Sequence, residues 1–238
     1  MKFTTDKIVF DFCKDNTPIA AIDVPATIEV ATKDCFSNQL REPGDTLDAL
    51  DWDDTNPATG PIFINGAQPG DTLKVTIDKI DVDAKGTVCA IEGEGTIGHK
   101  VVGSHSKIVP VKDGFAEFSD DIKIPIKPMI GVIGVTGLEI PADVTITVEI
   151  IKGQAPEYPI LENNEVFSVI VSKETVDEAA DAASELMLEF LEPRMDMKTE
   201  EIVMLMSLVG NVEICQIVDP LKTVRFVFPK KYMTKATF

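Results

Sequence analysis

The chain has 238 residues, enough for one large mainly-β or mixed domain, or for such a domain with a smaller appendage, and enough to bury a substantial core. It carries 22 Lys and Arg against 40 Asp and Glu, a formal net charge of −18, which repels phosphate backbones and anionic lipid surfaces; neither nucleic acid nor membrane is expected as a partner. The acidic residues are scattered among Ile, Val and Leu and form no tail, so the charge belongs to the surface of a folded body.

Met1-Lys2-Phe3-Thr4-Thr5-Asp6 is polar and lacks the apolar core of a secretory signal, and no apolar run approaches bilayer-spanning length; a cytoplasmic location is the expectation. Cys13, Cys35, Cys89 and Cys215 are too widely spaced for a disulfide scaffold or a CxxC metal knuckle and read mostly as reduced core thiols.

Residues 1 to about 152 alternate short period-two runs with Gly, Pro and Asp, as sandwiches and barrels do. A strand ends near Val30, and Ala31-Thr32-Lys33-Asp34-Cys35-Phe36 then sets a carboxylate beside a thiol at the strand end. That pair reads either as metal ligands, with the carboxylate also able to orient a water, or as a turn Asp beside a buried Cys. Next, Asn56-Pro57-Ala58-Thr59-Gly60-Pro61 is a stiff polar loop feeding the strand Ile62–Asn65, suited to presenting amides or Asn56 to a small ligand, or simply a well-ordered turn.

Leu73, Val75 and Ile77 alternate with Lys74, Thr76 and Asp78, and the pattern then resumes one residue late at Ile80 and Val82, which predicts a β-bulge near Asp78-Lys79. Glu92-Gly93-Glu94 reads as a solvated turn, with cation binding as the alternative. His99 and His105 are the only histidines and share neither a helical nor a strand face, so they read as exposed turn residues. Pro125 within Ile122–Ile126, with Pro128 beyond, predicts an edge strand, and Val144, Ile146, Val148 and Ile150 predict a well-formed strand.

After Gln154-Ala155-Pro156-Glu157-Tyr158-Pro159 the pattern changes. A strand at Phe167–Val171 precedes a capping box, Thr175 with Glu178, and a helix ended by Pro193; a second helix runs from Thr199 to Leu208 with Gly210 as C-terminal cap. Two final strands flank Asp219-Pro220. The fold class expected is mainly β, α+β overall: a β-sandwich-like body over 1–152 and a strand-helix-helix-strand-strand element over 153–238, integrated into one domain. No GxSxG elbow, P-loop, HExxH or Rossmann fingerprint is present.

Three stretches together resemble the acetamidase/formamidase family: Thr32–Phe36, the block Asn56–Pro61 continuing through Gly66-Ala67-Gln68-Pro69-Gly70-Asp71, and Ser207–Asn211 leading to Gln216–Pro220. The resemblance implies a metal-associated hydrolase that cleaves simple linear amides to a carboxylate and ammonia, and a homodimer. It implies Asp34 as a catalytic, metal-site carboxylate, Cys35 as a neighbouring ligand, and Asn56, Thr59 and Gly60 as part of the substrate pocket. The divalent ion expected is zinc, with calcium as the alternative. One departure is visible: where the family continues from the strand resembling Gly131–Val135 through glycine-rich, histidine-bearing motifs, Val135 here is followed directly by Thr136-Gly137. The rival expectation is therefore a non-catalytic member of the scaffold, a small-ligand binder or structural dimer.

Overall fold

The computed structural model describes residues 1–126, 136–153 and 155–235. The strands of the N-terminal part are β1 (Lys2–Phe3), β2 (Ile8–Val9), β3 (Ala20–Ile22), β4 (Ala26–Thr32), β5 (Ala58–Thr59), β6 (Ile62–Ile64), β7 (Thr72–Val82), β8 (Lys85–Ile91), β9 (Ser104–Lys112), β10 (Phe115–Glu117), β11 (Lys123–Pro125) and β12 (Ala142–Ile151). The C-terminal part contributes β13 (Ile160–Glu162), β14 (Val166–Lys173), α1 (Val176–Leu191), α2 (Thr199–Val209), β15 (Asn211–Gln216) and β16 (Lys222–Pro229). The fold is mainly β with a C-terminal pair of helices. Two compact units are formed, one of 1–94, 98–126 and 136–153, the other built chiefly of 156–235. The expected strand at Gly131–Val135 lies outside the described residues.

In the first unit one sheet has the order β1-β4-β12-β7 and a second β11-β10-β9-β8. The alternation of Val144, Ile146, Val148 and Ile150 places β12 in the middle of its sheet, where both edges are paired. Opposite it, Thr145 pairs with Lys79 and Ile146 with Ile77, so Asp78 is the extra residue of a β-bulge, as the slip in hydrophobic phase predicts. One face of this sheet is polar, with Thr27, Thr147 and Asp78 linked through hydroxyl bonds and Lys74 paired with Glu149. The other is apolar, and at the β1–β4 side Phe3, Ile22 and Ile28 pack there with Ile62, Ile64 and Ile146. β11, with its proline, lies at the edge of the second sheet, where a missing N–H costs no ladder bond.

The second unit is a sheet of order β13-β14-β16-β15 with α1 and α2 packed on it. Phe167, Val169, Val171, Phe226 and Phe228 meet Ala183, Met187, Phe190 and Leu191 in one core. Thr175 Oγ1 accepts from the Glu178 N–H at 3.2 Å and Glu178 Oε2 accepts from the Thr175 N–H at 3.1 Å, closing the expected box. Gly210 follows α2, but in an extended conformation (φ −78°, ψ 157°) and not the left-handed one of a glycine cap. Its lack of a side chain has another cause: a Cβ there would stand 2.5 Å from the Phe226 ring and 2.6 Å from the Met206 carbonyl oxygen.

Candidate functional site

Asp34 follows β4 and opens a tight turn that continues through Ser37 and Asn38, both at positive φ (54° and 63°). Asp34 Oδ1 accepts from the N–H groups of Phe36 (3.0 Å) and Asn38 (2.7 Å), while Asn38 Oδ1 accepts from the Asp34 N–H (3.0 Å). This reciprocal bonding is the local device by which Asx residues hold turns. Oδ2 has no hydrogen-bond partner although the side chain is fully buried. The nearest cation is Arg41, whose Nη1 lies 3.8 Å away. Arg41 is itself committed, through Nη2 to Asp83 at 2.5 Å and through Nη1 to the Lys85 carbonyl at 3.0 Å.

The 56–61 loop is tied to the Asp34 turn by its backbone. The Asn56 N–H donates to the Cys35 carbonyl at 2.7 Å, and Thr59 Oγ1 donates to the Ala31 carbonyl at 2.6 Å. Asn56 is exposed and left-handed (φ 56°), Thr59 is half-buried with its hydroxyl proton spent on β4, and Gly60 is buried at φ 137°. Asp34, Cys35, Asn56 and Thr59 are thus brought together as the sequence suggests, with Thr59 serving to clamp the loop. On its other side the loop borders a cavity of about 280 Å³, whose walls include Asp11, Cys13, Asn16, Ala58, Thr59 and Pro61 but neither Asp34 nor Cys35.

A third wall comes from Thr136–Ile140. Thr87 and Glu139 exchange both backbone hydrogen bonds at 2.8 Å, and the Cys89 N–H donates to Thr136 Oγ1 at 2.9 Å. Gly86 permits this approach, since a Cβ there would meet Ile140 Cγ1 at 2.4 Å and the Glu139 carbonyl oxygen at 2.8 Å. Burial pushes the Asp34 carboxyl above the usual carboxylate range, against the opposing pull of the Asn38 and Phe36 N–H groups and of Arg41. Burial, with the Glu139 carboxylate beside it, pushes the Cys35 thiol strongly up; the same two causes push Cys89 up to about 11.

The family model for acetamidases and formamidases matches residues 6–137, more than half of the chain. The chain belongs to the acetamidase/formamidase family. A crystal structure described as a predicted acetamidase/formamidase from Thermoanaerobacter tengcongensis is 34% identical, with a TM-score of 0.91 over 97% of this chain and 95% of that one. An acetamidase from Bacillus halodurans is 29% identical, with a TM-score of 0.91 over 98% of each chain. An acetamidase from Yersinia enterocolitica, at 19% identity, shares the fold with a TM-score of 0.85 over 97% of this chain and 92% of that one. No curated protein matches. The family match ends at residue 137, but this chain covers 95% and 98% of the Thermoanaerobacter and Bacillus chains, so the several dozen residues expected after Val135 are not missing relative to these two relatives; Thr136–Glu139 forms the wall of the Asp34 centre.

The divalent ion that the resemblance implies does not fit the residues present. Among the described residues no group of three or more His, Cys, Asp and Glu side chains can hold a metal, and residues 127–135, 154 and 236–238 contain none of those types. Asp34 offers one uncommitted oxygen, but a guanidinium stands in front of it, and Cys35 would have to ionise against burial and neighbouring carboxylates. The histidines lie elsewhere in this unit: His99 is exposed in a short 3-10 turn, and His105 is exposed on β9 with Nε2 2.8 Å from the Val102 carbonyl oxygen. Glu92 Oε2 accepts from the Gly103 N–H at 2.7 Å and closes the β8–β9 connection. Arg41, Cys89 and Glu139 are members of the centre that sequence reasoning missed. No local signal marks them, because each reaches Asp34-Cys35 only through tertiary pairing.

Proposed function

We propose that this family member cleaves the C–N bond of small linear amides, of the formamide and acetamide kind, and that Asp34 moves the proton in that reaction. Family membership makes the chain an amidase. The observation that carries the role of Asp34 is its divided carboxylate. One oxygen is saturated by backbone donors, and the other is buried without a donor, a state that costs about 1–3 kcal/mol per polar group and that a ligand donor would relieve.

In the proposed reaction a water attacks the amide carbonyl carbon and its proton passes to Asp34. The carbon–nitrogen bond then breaks, and the protonated Asp34 returns that proton to the departing nitrogen, leaving a carboxylic acid and ammonia. A carboxyl held above its ordinary range suits both transfers. Asn56, fixed against Cys35 by its own N–H, presents a carboxamide whose donor and acceptor match those of an amide substrate. Cys35, held protonated, is a packing neighbour in this scheme and not a nucleophile. The centre is closed in this conformation, so substrate entry requires local opening.

Ammonia release from formamide and acetamide tests this, with purified chain, with Asp34→Asn, and with chelator in parallel. The expected result is release by the native chain, unaffected by chelator, and a fall in kcat of about 100-fold or more in Asp34→Asn. A folded chain that releases no ammonia overturns the activity. Undiminished turnover in Asp34→Asn removes Asp34 from the reaction, and loss of turnover on chelation overturns the metal-free scheme. The closed centre favours one second reading, a small-ligand binder on the same scaffold, and binding of acetamide without release is its signature.

A further inference from the structure

We propose that the cavity between the 9–16 segment and the far side of the 56–61 loop is a binding site for a small primary ammonium ion carrying an apolar body. At about 280 Å³ the cavity is just under the roughly 300 Å³ at which pockets for drug-sized ligands begin, so its occupant is small. The pairing of β2 with β5, Ile8 opposite Thr59 and Val9 opposite Ala58, holds the two segments together. Asp34 and Cys35 are not in this wall, so the site is separate from the proposed amidase centre and does not depend on that reading.

The class of ligand follows from where the polar hydrogens of the wall have gone. Both amide hydrogens of Asn16 are committed to Asp11, with Nδ2 donating to its main-chain carbonyl and to its Oδ1 at 3.0 Å each. The Thr59 hydroxyl donates to the Ala31 carbonyl at 2.6 Å, and the Cys13 thiol is directed at Asp15 Oδ2, 3.8 Å away. The remaining polar side chain of the wall, Asp11, has no hydrogen to give when ionised. Each of these side chains therefore offers lone pairs and no hydrogen, with Asn16 Oδ1 and Asp11 Oδ2 left over as acceptors. The complementary group on a ligand is a donor, and a carboxylate or phosphate is excluded.

Charge selects a cation over a neutral donor. The Asp11 carboxylate lies in the wall and no Lys or Arg side chain does, so nothing there competes with a ligand for it. Phe12, in the same wall and 97% exposed, offers an aromatic ring, whose face attracts an ammonium group. The chain's net charge of −18 raises the local concentration of any cation. Val9, Ala58 and Pro61 complete the wall with hydrocarbon, which suits an organic body and not a hydrated metal ion. In agreement, among the described residues no three His, Cys, Asp or Glu side chains are placed to hold a metal.

Cys13 stands in the wall and is exposed, so its alkylation reports occupancy. The test is timed labelling of the full chain with iodoacetamide at pH 7, read by mass spectrometry, in the presence of benzylammonium, benzamide or benzoate. Benzylammonium should slow labelling of Cys13 about 10-fold at saturation, with half-protection on the order of 1 mM, the affinity of a ligand with so few atoms. Benzamide should need a concentration about 5-fold higher or more, and benzoate should not protect. Asp11→Asn should raise the half-protecting concentration of benzylammonium about 10-fold and Phe12→Ala about 3-fold. Asp121→Asn removes the same charge from an exposed position outside the cavity and should leave it unchanged. Because Phe12 is almost wholly exposed, its replacement spares the fold and decides the matter should Asp11→Asn not fold. Unprotected Cys13 in the native chain overturns the proposal, as does equal protection by benzamide or benzoate. So does a half-protecting concentration that Phe12→Ala leaves unmoved, or that Asp121→Asn raises as much as Asp11→Asn.

Discussion

Asp34 separates two tasks between two oxygens, and the separation makes its replacement informative. Asn retains an acceptor for the Phe36 and Asn38 N–H groups, removes the charge and puts an NH2 donor where the unpartnered oxygen stands. Because burial holds the folded carboxyl above its unfolded value, its contribution favours folding below the unfolded pKa and is lost as pH rises through the folded one. Asp34→Asn should therefore be as stable as the native chain near pH 4 and more stable, by about 1 kcal/mol, at pH 7, as measured by urea unfolding at both values. Arg41 does not reverse the sign, since it stays paired with Asp83 when the Asp34 charge is removed. The thiols give a second prediction at this scale. Cys13 is exposed, whereas Cys89, pushed up to about 11, and Cys35, pushed higher, are held as thiols, so at pH 8 Cys13 should be alkylated well before either, with mass spectrometry of timed quenches as the readout. Alkylation of Cys35 at the rate of Cys13 would contradict the closed centre. The Asp34-Cys35 and Asn56–Gly60 segments were legible because turn residues at strand ends are local signals; Arg41, Cys89 and Glu139 were not, because what places them is the pairing of β8 with Glu139 and the Arg41 bridge between Asp34 and Asp83.

At the level of elements, the readable features were those in which chain chemistry and backbone geometry coincide. The phase slip in β7 located the bulge to the neighbourhood of Asp78-Lys79, Pro125 marked an edge strand, and Thr175-x-x-Glu178 marked the start of α1. Thr175→Ala removes one half of the box and should cost about 1 kcal/mol in thermal or urea unfolding. Gly210 shows the limit. Its position after an apolar helix suggests a left-handed cap, yet the backbone is extended and the constraint is tertiary, the Phe226 ring pressed against the glycine. The two explanations predict different outcomes for Gly210→Ala. A left-handed cap would tolerate Asn, whereas a close ring contact rejects any side chain, so both Ala and Asn should destabilise, Ala by about 1–3 kcal/mol and Asn by at least as much. Alternation along β7 likewise told which residues share a face but not what lies over that face, since a period of two carries no information about the next layer.

For the molecule as a whole, the decisive quantity is the charge. Surface ion pairs such as Lys2–Glu29, Lys74–Glu149 and Lys79–Asp81 are exposed and individually worth little, while 18 uncompensated negative charges repel one another in the folded state more than in the expanded one. Screening weakens both terms, but it relieves the larger one, so raising sodium chloride from about 20 mM to about 300 mM, which shortens the Debye length from roughly 20 Å to roughly 6 Å, should raise the melting temperature by several degrees. A fall would mean that the ion pairs dominate.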